Sequence, residues 1–158
     1  MNAGPGALPA RGGLGRESPP SGEGRTPIAV SAADANEVYV GGNVVFKSTD
    51  GGLRWTVASP DLTRNDKAKQ KTSGGPVHLD LSGAETYGTL LSLAISPTDP
   101  KVMWAGSDDG LVHVTRDGGG TWTNVSPKGA PDWARVYQID PSPFDAGSAH
   151  LVYDAHML

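Results

Sequence analysis

The chain has 158 residues, no cysteine and a net charge of −4, with a pI of about 5.4. That is the length of one ordinary domain, without disulfides, thiol nucleophiles or cysteine metal sites and without the clustered Lys and Arg of a nucleic-acid footprint. No run approaches the ~20 apolar residues of a membrane helix, and 22 Gly with 13 Pro among short runs rich in Val, Thr and Trp point to an all-β chain with many turns.

Residues 1–26 are low in complexity, as in Ser18-Pro19-Pro20-Ser21-Gly22-Glu23-Gly24. Such a segment has too little apolar surface to offset chain entropy, so disorder is expected. It has no apolar core of a secretory signal.

Residues 27–60 read as a first unit of four strands. Ile28-Ala29-Val30 is an inner strand, and Glu37 to Val40 and Val44 to Lys47 are the next two. The stretch Ser48-Thr49-Asp50-Gly51-Gly52-Leu53-Arg54-Trp55 turns the chain into a fourth at Trp55-Thr56-Val57. Gly supplies positive φ and Asp accepts from backbone N–H groups two residues on, so Asp-Gly-Gly between apolar runs predicts a tight hairpin turn. Residues 61–88 form a long insertion, with a short basic cluster at Lys67-Ala68-Lys69-Gln70-Lys71 that reads as a solvated loop.

Residues 89–127 repeat the first unit. Leu90 to Ile95, Val102 to Ala105 and Leu111 to Val114 are strands, followed by Thr115-Arg116-Asp117-Gly118-Gly119-Gly120-Thr121-Trp122 and a last strand to Val125. Residues 128–158 begin a third copy with Val136 to Ile139 and His150 to Tyr153. The turn aspartates Asp34, Asp99 and Asp145 are equivalent. Their second interval fits the ~40–50 residues of a four-stranded propeller blade, and the first is longer by the insertion.

The repeated pattern hydroxyl–x–Asp–Gly–Gly–x–x–Trp resembles the Asp-box (BNR) repeat, found in sialidase-type, xyloglucanase-type and sortilin-type β-propellers. The resemblance covers roughly residues 27–158. The phrases Ser59-Pro60-Asp61-Leu62-Thr63-Arg64-Asn65-Asp66 and Ala105-Gly106-Ser107-Asp108-Asp109-Gly110-Leu111 look closest to large bacterial proteins described as BNR-repeat glycosyl hydrolases or as sortilin-like. It implies a partial β-propeller: two four-stranded antiparallel blades and part of a third, in a fragment of a larger ring. Ser48, Asp50, Gly52 and Trp55, with Thr115, Asp117, Gly119 and Trp122, then have structural roles, each Asp tying its turn and each Trp packing into its own blade. Family members are often exported.

Alternate connections of a blade emerge on opposite faces, so the Asp-Gly-Gly turns lie opposite the insertion, Asp108-Asp109 and Lys128 to Arg135. Long loops on a rigid scaffold tend to carry function, and the family's ligand sites lie on that face or in the central channel. Asp80 with Glu85, or Asp66 with Asp109, are the carboxylate pairs available for glycoside hydrolysis, which needs a separation of about 5–5.5 Å or ~6.5–9.5 Å. Otherwise they are solvated loop residues. Tyr87 and Trp133 suit stacking on a sugar ring or covering strand ends. Arg64 and Arg135 suit a ligand carboxylate or a surface ion pair, and Asp108 joins this ligand-binding set. A sialidase's arginine triad and Tyr–Glu pair cannot be assembled here, and at most one of a xyloglucanase's opposed carboxylates falls in the chain.

No histidine pair has metal-ligand spacing, and no cofactor is implied. The reading that follows is a scaffold or binding module for peptide or glycan ligands, whose partners are the remaining blades of the parent propeller. The alternative is part of a glycoside hydrolase.

Overall fold

The structure, a computed structural model, describes residues 26–71 and 87–155. Among the described residues ten strands follow one another without a helix: β1 (Ile28–Val30), β2 (Val38–Gly41), β3 (Val45–Ser48), β4 (Thr56–Val57), β5 (Leu90–Ile95), β6 (Met103–Ser107), β7 (Val112–Thr115), β8 (Thr123–Asn124), β9 (Arg135–Pro141) and β10 (Ala149–Asp154). They form three antiparallel sheets, in the orders β1-β2-β3-β4, β5-β6-β7-β8 and β10-β9. Every pairing joins strands adjacent in sequence. Among the described residues no helix is long and apolar enough to cross a membrane.

The sheets stack through a repeated joint. Gly41 ends β2, and a Cβ there would lie 3.1 Å from Leu90 Cβ, at the start of the next sheet's inner strand. Gly106 pairs with Val112 as Gly41 pairs with Val45, and a Cβ on Gly106 would lie 2.4 Å from Val136 Cγ1 of β9. Glycine at these places lets the next blade's inner strand approach the second strand so closely. The joint repeats with the same polarity, inner strand against the preceding inner half, so the sheets are successive blades of a partial β-propeller.

Two apolar cores fill the gaps. Tyr39, Val45, Leu62, Leu90, Leu93, Met103 and Ala105 form one between the first two blades. Val102, Trp104, Val112, Val114, Val136 and Ile139 form the other between the second blade and the β9-β10 hairpin. Each fully buried aliphatic side chain contributes roughly 1.5–3 kcal/mol. Blade two is buried on both faces, and all five residues of β6 are inaccessible. The outer strands β4 and β8 have only two residues each, all exposed.

The Asp-Gly-Gly turns close through one hydrogen-bond scheme. In the first, Ser48 Oγ donates to Asp50 Oδ1 (2.9 Å) and accepts from Gly52 N (2.8 Å), while Asp50 Oδ1 accepts from Arg54 N (2.8 Å). In the second, Thr115 Oγ1 donates to Asp117 Oδ1 (2.8 Å) and accepts from Gly119 N (3.0 Å), while Asp117 Oδ1 accepts from Thr121 N (2.8 Å). Gly51, Gly52, Gly118 and Gly119 all have positive φ. Each turn is tied to the first-to-second turn of its blade, by Gly51 N to Asn36 O and Gly118 N to Lys101 O, so both lie on one face.

Trp122 reaches beyond its own blade. Trp122 is half-buried against the core between the first two blades, and its Nε1 donates to Ala58 O at the end of blade one (2.9 Å).

Candidate functional site

The opposite face gathers three loops. Segment 61–71 starts at Leu62, which is 1% exposed and donates its N–H to Asn43 O. This anchor holds the following polar residues over the joint between blades one and two. The second loop is the turn Asp108-Asp109-Gly110, and the third is the approach to β9 at Asp132-Trp133-Ala134.

Asp109 and Arg64 lock these loops together. Asp109 is buried; its Oδ1 accepts from Ser107 Oγ (2.5 Å) and its Oδ2 from Arg64 N (2.6 Å). Arg64 Nε donates back to Asp109 O (2.9 Å), and its guanidinium pairs with Asp132 (3.0 Å). Asp108 is buried beside it, its Oδ1 accepting from Gly88 N (2.8 Å) and Thr89 N (3.0 Å). Burial pushes its carboxyl up to about 6, against the opposing pull of those N–H groups; the charge of Asp109 raises it further and that of Arg135 lowers it. Asp109 is not the solvated loop residue that the sequence allows as the alternative to catalysis. Both aspartates are committed to holding backbone.

Around that lock stands an aromatic and cationic cluster. Trp133 has φ +64°, a left-handed conformation that bulky residues rarely adopt and that surrounding structure must impose. Tyr87 meets it edge-on with ring centroids 5.3 Å apart. The Arg64 guanidinium lies 5.0 Å and Lys69 Nζ 5.1 Å from the Trp133 ring centre, both within cation–π range. Both rings keep accessible surface.

Beside the cluster a cleft of 360 Å³ opens between blades one and two, lined by polar side chains and bare backbone, among them Asn43, Asp61, Asn65, Lys67, Gln70 and Gly88. Asp61 holds Thr63 N (2.9 Å), Thr63 Oγ1 (2.7 Å) and Asn43 Nδ2 (3.1 Å). Lys67 Nζ donates to Asn65 Oδ1 (2.5 Å) and Gln70 Oε1 (2.9 Å). Asn65 is the other non-glycine residue with positive φ, +49°.

Of the residues singled out from sequence, Arg64, Tyr87, Asp108, Asp109 and Trp133 come together here. Arg135 starts β9 close enough to Asp108 to affect its charge. Asp66 instead accepts from Ala68 N (2.9 Å), shaping its own turn. Asp80 and Glu85 lie outside the described residues. Sequence reading missed Lys69, Asp132 and the cleft residues; the signal was the basic run 67–71, taken as loop solvation. No group of three His, Cys, Asp or Glu poised for a metal occurs among the described residues.

No family model and no curated protein matches the chain. Solved structures that resemble it include the following two. An ancestral GH74 enzyme is 19% identical with a TM-score of 0.49, covering 78% of this chain and 15% of its own. YCF48 bound to D1 peptide is 18% identical with a TM-score of 0.49, covering 84% of this chain and 36% of its own. The chain thus spans a minor part of either structure, and at these scores the likeness carries no argument about function.

Proposed function

We propose that this chain is part of a larger Asp-box repeat β-propeller acting as a binding module for peptide or glycan ligands, with its site on the face opposite the Asp-Gly-Gly turns. One observation carries the reading: Trp133 is held in a left-handed backbone conformation with Tyr87, Arg64 and Lys69 around its ring. Backbone strain of this kind costs about 1–3 kcal/mol and concentrates where a side chain must be presented in one orientation. An accessible aromatic ring flanked by cations suits a sugar face or a peptide side chain.

The further blades of the ring are the natural cover for the outer face of blade one, where Ile28 and Val30 are 65% and 54% exposed. Hydrolysis is the second reading. Asp108 and Asp109 hold backbone instead of facing one another across a groove, so the catalytic carboxyls of this reading would lie partly outside this chain.

The test is a glycan and peptide array probed with the chain and with Trp133→Ala. Binding that disappears in the variant is expected. Ligands retained equally by both proteins would remove Trp133 from the site and sink the proposal.

A further inference from the structure

The cleft between blades one and two has a hydrogen-bonding balance that specifies its occupant. Lys67 Nζ carries three donors, of which Asn65 and Gln70 take two. The Asp61 carboxylate has about four acceptor positions, and Thr63 and Asn43 fill three. One outward donor and one outward acceptor therefore remain in the same cavity. Asp61 and Lys67 are the two charged side chains of the lining and have opposite signs, so the lining carries no net formal charge. A hydroxyl group, which donates and accepts at once, meets both demands.

The cleft and the aromatic cluster are built from the same two segments of chain. Asn65 lines the cleft while Arg64 lies against Trp133, and Gly88 lines the cleft while Tyr87 meets the same ring. The Gln70 amide lies against Gly88, where an added Cβ would be 2.8 Å from Gln70 Nε2, and the φ of +117° at Gly88 favours glycine. The volume of 360 Å³ is at the low end of the ~300–1,000 Å³ typical of small-ligand sites.

We propose that this cleft takes the end of an uncharged, hydroxyl-rich saccharide, held by Lys67, Asp61 and Gln70, with the following sugar ring against Trp133. The inference rests on the binding-module reading and narrows its ligand class to neutral glycans. Because the cleft lining carries no net formal charge, a neutral terminus suits it better than an acidic one, whose charge only the neighbouring Arg64 and Lys69 would meet.

The experiment is calorimetric titration of the full chain with neutral gluco-, manno-, galacto- and xylo-configured tetrasaccharides, an acidic tetrasaccharide and a mixed hexapeptide pool. Lys67→Met, which keeps the aliphatic stem, and Gln70→Ala are compared with Trp133→Ala, and thermal melts identify any variant that fails to fold. The expected result is binding of at least one neutral tetrasaccharide, weakened at least tenfold by Gln70→Ala and by Trp133→Ala, and by Lys67→Met where it folds. Binding confined to the acidic saccharide or the peptides, lost in Trp133→Ala but unchanged in Gln70→Ala and in folded Lys67→Met, would overturn this inference and leave the binding-module reading standing. No binding of any probe, or binding indifferent to Trp133, would overturn both.

Discussion

Trp55 and Trp122 stand at the same place in two turns of the same pattern, yet they meet different surroundings. Trp122 reaches out of its blade, donates to Ala58 O and packs on the core shared with blade one. The Gly119 position beside it lies against the same stretch: a Cβ there would meet Ala58 O at 3.1 Å. At Gly52 an added Cβ would meet only Trp55 itself, at 3.5 Å. Blade two has a neighbour on each side; blade one, among the described residues, has a neighbour on one. The exposed large apolar residues follow this division. Ile28, Val30, Leu53 and Val57 belong to the first blade, Tyr137, Phe144 and Val152 to the third, and none to the second. The turn motif is thus a device for joining a blade to the one before it, and its energetic value depends on that neighbour being present.

Substitutions can break this comparison. Trp122→Ala should have the largest effect, about 3 kcal/mol from lost packing and an orphaned carbonyl, whereas Trp55→Ala in the same chain should cost less than about 1 kcal/mol. Equal losses in chemical denaturation would show that the two tryptophans do the same work. Gly106→Ala should come next, destabilising by roughly 1–3 kcal/mol through overpacking against Val136. A melting temperature unchanged by that substitution would mean the blades are not held at the Gly106 joint.

Asp108 sharpens the contrast by pH. Its folded-state value of about 6 lies above the ordinary 3.8, so the folded chain binds the proton more tightly than the unfolded one. Stability should decline as pH rises from about 4 to about 6 and stay reduced above that. Asp108→Asn keeps an oxygen for Gly88 N and Thr89 N without the buried charge. It should gain on the order of 1–2 kcal/mol at pH 8 and nothing at pH 3.5. A gain independent of pH would exclude charge burial as the cause.

The smallest effect should come from the turns. Asp117 is held down to about 2, chiefly by the N–H and hydroxyl of Thr121, and Asp50 is lowered chiefly by Arg54 N–H. Both contribute stability above the ordinary carboxyl range that is lost as pH falls through their folded values. Asp117 also accepts from Thr121 Oγ1 (2.7 Å), where blade one has Arg54. Asp117→Asn should therefore lower the melting temperature at pH 7 by more than Asp50→Asn; the reverse order would count against that extra bond.

The all-β blades were legible in the sequence because strands and turns are local. Alternating apolar runs and Asp-Gly-Gly fall within one or two residues of the observed strands, and counting connections placed the loops on opposite faces. The destination of Trp122, a carbonyl 64 positions away, is fixed by blade packing and leaves no periodic trace. Asp109 likewise reads as a solvated turn residue until the segment 61–71 folds over it. Lys69 and Gln70 look like loop solvation for the same reason: their partners, Trp133, Tyr87 and Lys67, meet them only in three dimensions.

The two-residue outer strands have a consequence for behaviour in a crowded solution. A long bare edge is a template on which another chain can add strands and seed fibrils. β4 and β8 offer too few backbone groups for such zippering to propagate. The rims of blades one and two are thereby protected from runaway growth, and encounters between copies there are diverted from edges, where they would be irreversible, to side-chain surfaces, where they can dissociate.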